Sequence, residues 1–205
     1  YEEPDATTYY YIGECYEKIG DYSKALMFYE KSLEIDDSLP ESWLGIGVVR
    51  DLNNQPIQAI KFIKKAIDLD SENPDYWYLY AEILAKLNKK TEAELAFKKV
   101  IQLDPKNIDA WIDYSNFLFD NTSKSLAINE VKKAIKSNNN QIDLKLRLVA
   151  MQISTGNINE AKNSLSEMHS SDQNTFKMLI DIYPEVLQVE EMNEFFQPFK
   201  DNPNK

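Results

Sequence analysis

Apolar residues recur along this chain at helical spacing. Trp77, Tyr80, Ala81 and Leu84 form one stripe, and Ala93, Phe97, Val100 and Ile101 form another. These offsets place side chains on one face of an α-helix rather than on alternating faces of a strand. Polar punctuation separates the stripes. Asn73-Pro74-Asp75 reads as a helix start: a capping side chain, a proline in the first turn, then an acid favoured by the helix dipole. Asn107 and Thr175 occupy the equivalent cap position. Leu69-Asp70 and Leu103-Asp104-Pro105 close helices, while Gly20-Asp21 and Gly156-Asn157 read as tight turns inside helical pairs. The pattern predicts helices joined in pairs by short turns.

The pairs repeat. Trp43, Trp77 and Trp111, the only tryptophans, lie 34 residues apart, and Tyr9 precedes them by the same interval. Four residues after each comes a small residue: Gly13, Gly47, Ala81 and Ser115. Sixteen residues after comes an alanine: Ala25, Ala59, Ala93 and Ala127. One further period gives Lys145, Val149 and Ala161, so the bulky anchor is replaced and the alanine is kept. A small residue lets the two helices of a pair approach, since a larger side chain there overpacks at a cost of about 1–3 kcal/mol.

These spacings resemble the tetratricopeptide repeat. The resemblance covers five units, 6–39, 40–73, 74–107, 108–141 and 142–175. It implies an all-α, right-handed α-solenoid of stacked helix–turn–helix pairs, with a C-terminal helical cap. Residues 176–197 break the repeat and are expected to supply that cap. A short helix would run from Thr175 to Tyr183, and a second from Pro184 to about Phe196. Val186, Leu187, Val189, Met192 and Phe195 would face inward, with Glu185, Glu190, Glu191 and Glu194 outward, as the end of a repeat stack requires. Residues 198–205 are expected to form a tail.

Composition narrows the partners. The net charge of −11 disfavours nucleic acid and anionic membranes, both of which select a basic face. No apolar run approaches the roughly 20 residues of a membrane helix, so no membrane insertion is expected. One cysteine, Cys15, excludes an internal disulfide; the compartment stays open, with the cytoplasm the first expectation. The chain starts at Tyr1 rather than methionine, which suggests a fragment of a longer protein. Abundant asparagine, lysine and isoleucine, beside only two arginines (Arg50 and Arg147), point to an AT-rich bacterial genome.

No catalytic set stands out, and the chain is read as a non-enzyme without cofactor or metal. His169 is the sole histidine and shares the phase of Leu33, Ile67, Ile101 and Ile135, so a packing role is expected. Cys15 shares the phase of Val49, Ile83, Phe117 and Met151, which predicts a small core residue. No glycine-rich phosphate loop is present, and Asp36-Asp37 reads as a helix-end pair. First-turn acids (Glu41, Asp75, Asp109, Asp143) and basic pairs near the ends of second helices (Lys64-Lys65, Lys98-Lys99, Lys132-Lys133) are explained by dipole compensation.

In the family, partners bind a concave groove lined by the first helix of each pair. Projected onto this chain, one groove row is Tyr10, Leu44, Tyr78, Ile112 and Leu146. The next is Glu14, Val48, Glu82, Asn116 and Ala150, and a third is Glu17, Asp51, Ala85, Phe119 and Ile153. The groove would be acidic near the first units and oily near the last two. The family's chaperone cofactors grip a carboxylate with lysine, asparagine and arginine; here Tyr10, Glu14, Tyr78 and Glu82 stand instead. The resemblance therefore implies a protein-interaction scaffold taking a peptide or protein segment with apolar anchors and basic flanks. Two other roles fit the same sequence: a docking or regulatory arm of a larger enzyme, and a self-assembly module joined through its first helix or through Phe195, Phe196 and Phe199.

Overall fold

The computed structural model describes residues 4–139, 141–168 and 173–200, apart from the side chains of 173, 174 and 198–200. The readings made for His169, for Phe199 and for residues 201–205 lie outside the described residues. Among those described, no strand occurs. Two compact units emerge, Tyr1–Asp104 and Pro105–Lys205.

The first unit holds α1 (Ala6–Lys18), α2 (Tyr22–Ile35), α3 (Pro40–Leu52), α4 (Pro56–Leu69), α5 (Pro74–Lys86) and α6 (Lys90–Leu103). The helices pack as consecutive pairs, α1 with α2, α3 with α4 and α5 with α6. The pairs stack through α2 on α3 and α4 on α5, and α1 lies beside α3. Local chemistry fixes the helix starts. The carboxylates of Asp5 and Asp21 accept from the amides of Thr8 and Lys24, and Asn73 accepts from the Asp75 amide. Each bond satisfies an amide that has no partner within its helix.

Turns inside the pairs follow the period too. Gly20, Asn54, Asn88 and Gly156 have left-handed backbone, with φ of 82°, 57°, 57° and 78°. Glycine adopts this conformation freely, and asparagine tolerates it better than most residues. The fifth member of the row, Thr122, is β-branched and avoids it with φ −127°.

The small residues set the spacing within pairs. A Cβ at Gly13 would come 2.6 Å from the Tyr29 ring, and one at Gly47 would come 2.6 Å from Ile63. Gly45 presses on Tyr29 from the next pair, its hypothetical Cβ 2.5 Å from Cζ. A buried polar link crosses the same region: the Ser32 hydroxyl donates to the Ala6 carbonyl at 2.7 Å and lies 2.7 Å from the Ser42 hydroxyl.

The three indoles occupy equivalent places. Nε1 of Trp43, Trp77 and Trp111 donates to the backbone carbonyl six residues earlier, at Asp37 (2.8 Å), Ser71 (2.8 Å) and Pro105 (3.0 Å). Each first helix is thereby tied to the loop that enters it. Two sit in the first unit and one in the second.

The second unit holds α7 (Ile108–Asn121), α8 (Lys124–Ser137), α9 (Ile142–Ser154), α10 (Ile158–Glu167), α11 (Gln173–Ile182), a 3-10 turn at Pro184–Gln188 and α12 (Glu190–Lys200). Pairing continues as α7 with α8 and α9 with α10, and α8 stacks on α9. Its core gathers Leu146, Val149, Ile153, Leu165, Phe176 and Met192.

Four expectations need correction. Thr175 does not cap a helix; α11 begins before it, and Thr175 is buried within that helix. Pro184 opens only a 3-10 turn, because Val189 turns extended before α12 starts at Glu190. The chain stays helical to Lys200 rather than ending as a tail at 198; the buried pair Met192 and Phe196, one turn apart, seats α12 on the core. Finally, Cys15 is exposed. Its periodic equivalents Val49 and Ile83 are fully buried under the preceding pair's second helix, and among the described residues no such helix precedes α1.

Candidate functional site

First helices carry the residues expected to meet a partner, and the first unit gathers six of the nine: Tyr10, Glu14, Leu44, Val48, Tyr78 and Glu82. All six are half-buried. Their aromatic and aliphatic bodies pack partly on neighbours: Tyr10 against Tyr29 (ring centroids 6.0 Å apart), Tyr78 edge-on to Phe97 (6.4 Å), and Leu44 on the Ile63 and Tyr76 cluster. The row therefore serves helix packing while leaving part of each side chain at the surface.

Carboxylates and phenols interleave around this row. Glu41, read from sequence only as a dipole acid in the first turn of α3, acts electrostatically on a phenol of the first helix before it and on one of the first helix after it. Tyr10 of α1 has its pKa raised by burial first, then by Glu14 and Glu41. Tyr76 of α5 is pushed up to about 12, again by burial first and then by Glu41 and Asp70. Successive first helices thus converge on one carboxylate. Glu41 Oε2 is itself buried without a hydrogen-bond partner. Deeper in the same region, the Tyr29 phenol donates to Glu17 at 2.7 Å. Burial raises the Glu17 carboxyl above its usual range, and the bond from Tyr29 opposes that rise.

Cations are few along this surface. Lys86 of α5 pairs with Asp51 of α3 at 2.5 Å, which neutralises the third-row acid. Lys18 reaches Glu14 only at 3.9 Å and is itself largely exposed. The sequence pattern did not single out Glu41 or Tyr76 for this role. The signal available was their phase: Glu41 falls three residues before Leu44 on the same helix face.

In the second unit, Ile112 and Asn116 of α7 are half-buried. Leu146 of α9 is not a surface anchor: it is fully buried, as are Ala150 (1%) and Ile153 (4%) from the other two rows. The C-terminal segment covers them, with Phe176, Val186, Met192 and Phe196 in the same cluster. The oily end of the expected groove is therefore core. Arg147, next along α9, is held between the rings of Phe119 (5.6 Å) and Tyr183 (5.7 Å), a stacked cation geometry. Phe196 is fully buried, and Phe195 is half-buried with its ring edge-on to Phe176. No group of three or more metal-ligating side chains occurs among the described residues, and none of their helices is long and apolar enough to cross a membrane.

Comparison with known proteins adds the following. The family model described as "Anaphase-promoting complex, cyclosome, subunit 3" matches residues 20–100. No curated protein matches the chain in sequence. Among solved structures, YrrB, described as a TPR protein with an unusual peptide-binding site, is 20% identical with a TM-score of 0.66, covering 91% of this chain and 92% of its own. MamA is 22% identical with a TM-score of 0.66, covering 90% and 95%. The first TPR of Spaghetti (RPAP3), bound to the HSP90 peptide SRMEEVD, is 20% identical with a TM-score of 0.55, covering 58% and 94%.

Proposed function

From a chain that carries the tetratricopeptide-repeat fold, we propose a protein-interaction scaffold that holds a peptide or protein segment along the first helices of its first unit. The segment carries apolar anchors flanked by lysine or arginine. One observation carries this reading: Tyr10, Glu14 and Glu41 are half-buried together with the apolar row of the first helices, and the Glu41 carboxylate acts on both Tyr10 of α1 and the buried Tyr76 of α5, on a surface poor in cations.

Apolar side chains of the segment pack on Tyr10, Leu44, Val48 and Tyr78. Its cations pair with Glu14 and Glu41, whose partial burial strengthens such pairs relative to bulk water. Glu82 flanks Tyr78 one turn on. Fold neighbours described as binding peptides support the general role. The acidic peptide SRMEEVD held by one of them is the wrong charge for this surface, because its carboxylates would face Glu14 and Glu41 with only the largely exposed Lys18, 3.9 Å from Glu14, to offset them. Ile112 and Asn116 are a smaller contact of the second unit, and Leu146 has no place in the site.

The test is affinity capture with the intact chain beside two variants, Tyr78→Ala and Glu14→Gln/Glu41→Gln, each checked for unchanged helicity. A true partner loses more than about 2 kcal/mol of binding with the aromatic anchor removed. Partners retained equally by all three proteins remove this surface from consideration.

A further inference from the structure

In three of the helical pairs the bulky anchor is an indole, and its surroundings repeat with it. Trp43 stacks on Phe62 of the same pair, with ring centroids 6.1 Å apart. Trp77 meets Tyr80 edge-on at 6.2 Å and packs on the buried cluster that holds Ile67, from the second helix of the preceding pair. In the fifth pair the anchor position is Lys145, and the counterpart of Phe62, three periods on, is Ser164. Both rings are missing there. A hollow of about 270 Å³ stands in their place, lined by Ile135, Lys145, Leu148, Ser164, Glu167 and Met168. Ile135 and Leu148 lie two periods after Ile67 and Tyr80, so the walls that hold the Trp77 indole are kept while the indole is not.

We propose that this hollow is a binding site for a tryptophan side chain carried by a segment of a partner protein, which fills from outside the place that the sibling pairs fill from within. The apolar part of its wall is nearly closed off, with Ile135 9% and Leu148 8% exposed, and a planar ring laid on such a wall removes that remaining area from water. Lys145 and Glu167 line the hollow with opposite charges, which favours an uncharged ring over an ion of either sign. An ammonium at the wall also suits the face of an indole, and the Ser164 hydroxyl is an acceptor for the indole N–H.

A second observation marks the same vacancy. The three indoles bond to the carbonyls of Asp37, Ser71 and Pro105, and the residue in that phase before Lys145 is Asn139. Asn139 has left-handed backbone, with φ 51°, which none of the other three shares. The loop entering α9 thus departs from its siblings where the indole bond is lost. Size selects the source of the ring. Pockets for whole small ligands run from about 300 to 1,000 Å³, and this hollow falls below them, so it suits one projecting side chain. Tryptophan is among the residues that most often anchor an interface by filling a pocket. The site lies in the second unit and stands independently of the charged surface on the first.

Methyl NMR of the 205-residue chain, titrated to about 20 mM with N-acetyltryptophanamide, reads this directly, since a single ring binds at about the millimolar level. Saturable shifts at Ile135, Leu148 and Met168 are expected, with N-acetylleucinamide binding at least tenfold more weakly. Lys145→Trp supplies the ring from α9, as the three sibling pairs do, and should weaken binding of the tryptophan amide at least tenfold while the helical spectrum stays unchanged. Ser164→Phe supplies one from α10 in the manner of Phe62 and should do the same, which keeps the test open if the first variant fails to fold. Absence of shifts at these methyls, equal binding of the leucine amide, or undiminished binding by a folded variant overturns the proposal. Free tryptophan binding at least tenfold more tightly than its capped amide would make the occupant a small molecule and overturn the choice of a partner's side chain.

Discussion

The Tyr29 phenol donates a 2.7 Å hydrogen bond to the Glu17 carboxylate, while the same ring is clasped between Gly13 of α1 and Gly45 of α3. One side chain thereby joins both helices of the first pair to the second pair. Gly13→Ala and Gly45→Ala each drive a methyl to about the 2.5–2.6 Å separations found there, so each should cost about 1–3 kcal/mol in urea unfolding. Gly20→Ala meets no neighbouring atom but forces a non-glycine residue to positive φ, so it should cost less than about 2 kcal/mol.

The pH response of this link has a defined sign. Glu17 has a raised carboxyl pKa, chiefly from burial. A raised folded-state pKa contributes stability below the unfolded value, and that contribution is lost as pH rises through the folded value. Glu17→Gln keeps an acceptor for Tyr29 and removes the buried charge. The variant should therefore unfold at higher urea than the parent at pH 7, with the difference shrinking as pH falls toward 4. A difference that grows on acidification would show that the carboxylate is favoured by its site.

Equivalent indole bonds should be separable by exposure. Trp111 is 7% exposed, whereas Trp43 and Trp77 are half-buried. Among three proteins that each keep one tryptophan, with phenylalanine at the other two positions, the Trp111 protein should emit furthest to the blue and be quenched least by acrylamide. Each indole-to-phenylalanine change should also cost about 0.5–1.5 kcal/mol for its hydrogen bond to the preceding loop.

Leu146 gives a direct test of the covered rows in α9. Its side chain is fully buried beneath the C-terminal segment, so Leu146→Ala should cost about 2–5 kcal/mol of stability. Were Leu146 a surface anchor, the same change would leave the unfolding midpoint within about 0.5 kcal/mol of the parent.

Much of this was legible in the chain itself. The 34-residue spacing of the tryptophans marked three equivalent places, where the structure puts indole bonds of 2.8, 2.8 and 3.0 Å, and Gly13 and Gly47 marked two close approaches. Periodicity reports a residue's phase and nothing of its neighbours. Cys15 therefore shares its phase with buried residues and is nonetheless exposed, because among the described residues no second helix covers that face of α1. Leu146 shares its phase with half-buried residues and is core, because a segment outside the repeat folds over it. Gly45 went unread, and Glu41 was read only as a first-turn acid, for a different reason. Gly45 serves the contact between pairs, and Glu41 gains its role only when helices far apart in sequence bring Tyr10 and Tyr76 beside it.

A peptide surface on the first unit that selects by charge can be tested directly. Fluorescence anisotropy of two labelled peptides with the same apolar core tests it, one flanked by lysines and the other by glutamates. The lysine-flanked peptide should bind at least tenfold more tightly, salt should weaken it, and Glu14→Gln/Glu41→Gln should remove the preference. Equal affinity for the two peptides, or a preference that survives in the double variant, would contradict it.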